Sequence, residues 1–356
     1  MGPMVTYFPA LTGKAGELTA LGHTPSSERD VIIPIVTLPV ADDFDEQEVS
    51  AEIAKMTSKI GTNWDSSHRM IIDANGSDGV SISGQPSVGV LHDALRAKGI
   101  KAEPVIYLSS SNAYMSSVSA IAATDGSGVC IRLSADDVTA HSSLATDLDA
   151  ALSSVGVAPS DVDLVLDLGF VETGSVSAFA ALVPLIIPTL PHVNKWRNLV
   201  LLSGAFPENL GSLTPYVPGA FARHDAELWR RVSGLTSTIR ELGFGDYATS
   251  HPVAATVSGP WRSAPNIRYT EALTWIALKS NMDRIRGNHT FFDICSQLLK
   301  ATPSPLQPPS FSWGDGEFHR CASGTGGPGN GTTWKAWSTS HHISTVVDRL
   351  ATTGAP

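Results

Sequence analysis

Two aspartates, Asp73 and Asp167, stand at the ends of apolar runs in a chain of 356 residues. A carboxylate in apolar surroundings is costly unless it is paired or hydrogen-bonded, so such positions point to a site or to a buried ion pair. The run holding Asp167 reads Asp-Val-Asp-Leu-Val-Leu-Asp-Leu-Gly-Phe over 161–170. Placed on either side of a substrate, Asp73 and Asp167 would act as acid and base. Lys14, Arg132 and Arg268 would hold a phosphate or carboxylate, the arginines through two parallel donors. Glu17 adds a third carboxylate, and His251 and Tyr269 add ligand contacts. Three carboxylates and three cations form a pocket of mixed sign, suited to a polar anionic molecule that is phosphorylated or nucleotide-like.

Each of these residues also has a plainer explanation. Arg132 and Asp167, on neighbouring strands, make a salt bridge that needs no substrate. Asp73 before Ala74-Asn75-Gly76 starts a turn, because Asp bonds its own backbone there. Lys14 and Glu17, spaced i,i+3, pair on a helix surface. Among 11 His there is no His-x-x-x-His, and the three cysteines offer no Cys-x-x-Cys. Adjacent His341 and His342 on a strand would face opposite ways, so no dedicated metal site is expected. No cofactor is expected, apart from a magnesium ion that Asp73, Asp167 and a substrate phosphate would share. The Gly-rich loop 324–331 lacks the Lys-Ser/Thr pair of a phosphate loop, and Ser203-Gly204 lacks the glycines of a nucleophile elbow.

The elements that must position these side chains alternate. Strands are expected over 31–38, 70–74, 102–108, 129–133, 162–168, 198–203, 246–250 and 267–270. Helices between them are expected over 49–60, 87–97, 114–123, 144–155, 175–190 and 226–242. Val162, Leu164, Val165, Leu166 and Leu168 do not alternate with polar residues, as in a parallel strand covered on both faces. Eight strands separated by helices favour a closed (β/α)8 TIM-like barrel over an open sheet. No Gly-x-Gly-x-x-Gly follows the first expected strand, as a dinucleotide fold requires. In such a barrel, sites sit at the C-terminal strand ends, where Asp73, Arg132, Asp167, Ser203, His251 and Arg268 fall. The last unit is irregular, with Gly and two Pro over 253–266. The division expected is a barrel over 1–300, then a Pro-rich connection and a Trp/Gly-rich extension over 301–356 that packs on it.

Composition narrows the function classes. Apolar residues make up 42% and charged residues 16%, which describes a globular chain with a sizeable core. A formal net charge of −10 opposes general nucleic-acid binding and polybasic membrane attachment. No secretory signal or membrane-length apolar run is read, and the cysteines suit a reducing cytoplasm. Cys130 is expected to be a small core residue.

Several short pieces recur in a known order: Tyr7-x-Pro9, Lys14-x-x-Glu17, Pro34, Gly245-Asp246-Tyr247 and Asn266-Ile267-Arg268-Tyr269. Trp313-Gly314-Asp315 and His341-His342-Ile343 close the series. In these the chain resembles the phage-type beta protein family. It departs at Thr37, where the family's first strand more often ends in an acid, so no role of that acid carries over. The resemblance implies a phage or prophage origin and a part in phage–host conflict, and it brings no established reaction. Two readings follow: an enzyme of unassigned reaction on a polar anionic small molecule, or a non-catalytic binding protein of phage–host interference. The first expects an open mouth. The second expects mouth charges paired among themselves and a macromolecular partner from phage or host.

Overall fold

A computed structural model describes residues 5–139, 142–253 and 263–356. Eight parallel strands close a barrel: β1 (Tyr7–Thr12), β2 (Ile35–Thr37), β3 (Ile71–Asp73), β4 (Glu103–Ile106), β5 (Val129–Leu133), β6 (Val162–Phe170), β7 (Asn198–Gly204) and β8 (Gly243–Asp246). Spatial order follows chain order, and β8 returns to pair with β1. The α/β barrel read from the alternation is the fold.

Two of the eight strands are not those the sequence suggested. Residues 7–12 form β1, although Pro9 lies inside it, and Pro9 stands opposite Asp246 in the register. Proline is normally kept out of central strands because it cannot donate to the ladder, and β1 was therefore not among the strands expected. Asn266–Thr270 lies outside the barrel, in an antiparallel sheet with Thr274–Lys279 and Gly219–Ala222. Asp246 accordingly ends β8, whereas residues 246–250 had been expected to form a strand. Within the irregular stretch, residues 254–262 lie outside the described ones.

A helix follows every barrel strand, and the eighth comes from the C-terminal segment. Gly331–Thr353 starts at Asn330, whose side chain accepts from the amides of Thr332 and Thr333. This helix lies against the first barrel helix, Ala15–His23, with no side chain between them at Gly16. A Cβ there would stand 2.7 Å from the carbonyl oxygen of Thr332. The extension therefore completes the helical ring. Between β8 and its helix, the described residues 263–330 contribute two strands to the outer sheet and the helices Thr290–Lys300 and Trp313–Ala322. That layer has its own core, including Ile267, Leu278, Phe291 and Phe318. Among the described residues no helix is long and apolar enough to cross a membrane.

Candidate functional site

The barrel interior is layered by the period of two along its strands. Its middle is apolar, with Phe8, Val105, Cys130, Val165, Val200 and Leu202 fully buried; Cys130 is the core residue expected. Below this layer, at the N-terminal face, Glu103 and Asp163 meet Arg69 and Arg197. Arg69 bonds Glu103 at 2.7 and 2.9 Å and Asp163 at 2.5 Å, while Arg197 bonds both acids. Two cations balance two carboxylates, which seals the bottom.

Above it, at the C-terminal face, Arg132 lies between Asp73 and Asp167. It donates to Asp73 at 2.8 Å, and to Asp167 at 2.7 and 3.0 Å. Tyr107 donates to Asp73 at 2.7 Å, and Tyr247 to Asp167 at 2.6 Å. Burial by itself would lower the Arg132 pKa, but Tyr247, Asp167, Tyr107 and Asp73 outweigh it and raise the value well above the ordinary one. Burial, reinforced by Asp73, likewise holds the Tyr107 phenol far above its usual range. The axis of the mouth is a closed polar network in which one guanidinium and two phenols serve two carboxylates. Asp73 and Asp167 are thus brought together, but as joint partners of one guanidinium that stands between them. A magnesium ion shared by the two would have to displace it. Among the described residues no group of three or more His, Cys, Asp or Glu is arranged to hold a metal.

A cavity of about 370 Å³ opens beside this plug, over the ends of β1 and β8. Thr12, Lys14, Glu17, Ser250, His251, Arg268 and Lys335 line it, with Glu208 and the first residues of two helices. Ala15–His23 begins here, and its N-cap residue Lys14 makes no side-chain cap. Gly331–Thr353 begins here as well, so two positive dipole ends converge on one space. Arg268 reaches in from the outer sheet, donating to the Thr249 carbonyl at 2.7 Å and lying 4.9 Å over the Phe206 ring. Burial pushes its guanidinium down to about 10. Glu17 is buried and accepts from Thr12 and, at 2.8 Å, from Ser250.

The expected site residues therefore divide. Lys14, Glu17, Arg268 and His251 share the cavity; Asp73, Asp167 and Arg132 share the axial network. Tyr269 belongs to neither. Next to Arg268 in a strand it faces the opposite way, stacked on His341 at 3.7 Å and bonded to Asp315 at 2.6 Å. His341 and His342 lie on a helix, not a strand, and go to different carboxylates, Asp315 and Asp246. Sequence reasoning missed Lys335. Its signal was the cap at Asn330 and Thr333, which marks a helix start inside the stretch read as a Trp/Gly-rich extension.

A family model described as Beta protein matches residues 7–348. The chain belongs to the Beta protein family. The match runs from β1 into the helix that completes the ring, so this family covers the whole barrel together with its outer layer. No curated protein matches this Beta protein family member. Among solved structures, it is similar to triosephosphate isomerase from Bartonella henselae, at 13% identity and TM-score 0.32 over 67% of this chain and 90% of that one. It is also similar to the catalytic module of a family 98 glycoside hydrolase from Streptococcus pneumoniae, at 8% identity and TM-score 0.39. That likeness covers 68% of this chain but only 46% of the hydrolase chain.

Proposed function

We propose that this protein binds a small polar molecule carrying a phosphate or carboxylate, and that the ligand occupies the cavity beside β1 and β8. One observation carries the reading: Lys14, Arg268, Lys335 and two helix starts converge on a single space of small-molecule size. Helix N-termini and basic side chains both favour anions, and together they supply charge and donors. Glu17 and Glu208 keep the excess positive charge small, which suits a ligand with polar groups besides its anion. The axial aspartates support the site from below and do not touch the ligand. An enzyme of unassigned reaction is the first form of this reading; the prophage setting implied by the family resemblance belongs to it as proposal. The closed Arg132 network favours a second form, in which the barrel binds without catalysis.

A thermal-shift screen with inorganic phosphate, sugar phosphates, nucleotides and small carboxylates tests it. A ligand at a hundredfold its dissociation constant should add about 2.7 kcal/mol of stability. One anion class is expected to stabilise the wild type and Asp167→Asn alike, and Arg268→Gln is expected to lose the shift. If Asp167→Asn loses the shift while Arg268→Gln keeps it, the ligand sits on the barrel axis instead.

A further inference from the structure

Lys335 sits in the second turn of the helix that completes the ring, and its amine pairs with the buried Glu17 while making short bonds to two hydroxyls. The nearest carboxylate oxygen, on Glu17, is 3.4 Å away. The short bonds go to neutral hydroxyls, Ser250 Oγ at 2.5 Å and Thr249 Oγ1 at 3.1 Å. Ser250 in turn donates to Glu17 at 2.8 Å, so a hydroxyl connects amine and carboxylate. About a fifth of the Lys335 side chain, 21%, remains exposed, and the residue lines the cavity. Lys14 and Arg268 line the same cavity as cations, and among the described residues Glu208 and His251 complete its titratable lining.

We propose that Lys335 is a nucleophilic amine that condenses with the carbonyl carbon of a small anion-bearing carbonyl compound, an α-oxo acid or a ketose phosphate. This rests on the anion-binding reading of the same cavity and names its substrate class. The Lys335 ammonium first passes a proton through Ser250 to Glu17. The free amine adds to the carbonyl carbon, forming a C–N bond. A proton on the amine moves to the former carbonyl oxygen, giving a carbinolamine. The C–O bond then breaks, and the hydroxyl leaves as water with the proton held on Glu17. One ammonium and one carbonyl become one protonated imine and one water, and Glu17 ends as it began. Arg268 and Lys14 hold the anion and leave the carbonyl toward Lys335. Burial favours the neutral amine needed here, and with Arg268 and Lys14 nearby it brings the Lys335 pKa down to about 8 against the pull of Glu17. An amine so placed is a nucleophile near neutral pH.

The test is reductive trapping on the full chain with glyoxylate or dihydroxyacetone phosphate and borohydride at about pH 8, near the value reached by Lys335, read by peptide mass mapping. Lys335 is expected to be labelled about tenfold or more faster than surface lysines, whose ordinary pKa leaves little free amine. Inorganic phosphate should protect it. Lys335→Arg removes the nucleophilic amine and should show no adduct at position 335. Glu17→Gln removes the proton acceptor of the relay and should slow trapping by about tenfold or more. If phosphate stabilises the wild type yet Lys335 is labelled no faster than surface lysines, the amine proposal is overturned while the anion site stands. If phosphate neither stabilises the protein nor protects Lys335, the anion site falls, and the amine proposal falls with it.

Discussion

Arg132 shows how much one side chain can govern here. It is nearly buried, and Asp73, Asp167 and Tyr247 all bond it. Arg132→Met would leave two carboxylates under the mouth without their cation. Breaking a buried ion pair from one side costs about 3–5 kcal/mol, because the stranded charge stays buried. Urea unfolding of the variant should show a loss of that size. Asp225 makes a different prediction. It is fully buried, and its Arg223 partner stands 3.6 Å away. Burial, with Asp246 nearby, raises its pKa from 3.8 to about 7 against the pull of Arg223. A folded-state pKa above the unfolded one favours the protonated form. Stability tied to it is complete below the unfolded value and is lost as pH rises through the folded one. Urea midpoints measured from about pH 4 to the raised value of about 7 should therefore fall in wild type. They should fall less in Asp225→Asn, and parallel curves would refute the assignment.

At the level of elements, the cavity depends on how closely two helices begin. Gly16 permits the approach of Ala15–His23 to Gly331–Thr353, since a methyl would press on the Thr332 backbone, which cannot rotate away. Gly16→Ala should cost about 1–3 kcal/mol, as overpacking does. It should also weaken phosphate binding, because Lys14 and Lys335 ride on those two helix starts. Calorimetric titration with phosphate, beside a urea melt, checks both effects. A variant that binds normally would show that the helix starts do not shape the site. The strand Asn266–Thr270 adds to this geometry through its period of two. Arg268 goes to the cavity and Tyr269 to the outer core, so neighbouring residues serve different structures.

For the whole molecule, the last helix is part of the barrel. His342 bonds Asp246 at the end of β8 at 2.8 Å, Lys335 bonds the residues after β8, and Ser344 bonds Glu28. A chain ending at residue 300 should fail to fold cooperatively, because β1 and β8 would lose their cover. Circular dichroism and thermal melting of that truncation test the point. A sharp melt close to the full-length one would show that the first 300 residues suffice.

Much of this was legible in the chain as written. Alternating apolar runs and helical stretches carry a βα repeat in local residue order, so the barrel class follows from pattern alone. The unalternated run after Val162 told of a strand covered on both sides, and it is β6. Asp163 and Asp167 lie four residues apart in it and turn to the same barrel interior, one to each charged layer. The Arg132 partner of Asp167 was legible, because the two stand on neighbouring strands; the partners of Asp163 were not, because Arg69 and Arg197 precede other strands and nothing local ties them to it. β1 was hidden by Pro9, whose lost donor matters only once both strand neighbours are known. Lys14, Glu17 and Arg268 could be named as polar residues near strand ends. That they share a cavity with Lys335, while Asp73 and Asp167 lock onto Arg132, depends on long-range packing: helix Gly331–Thr353 returns some eighty residues after β8 to lie beside the first helix. Residue types set which chemistry the chain can offer, and the closure of the ring sets which of those groups meet.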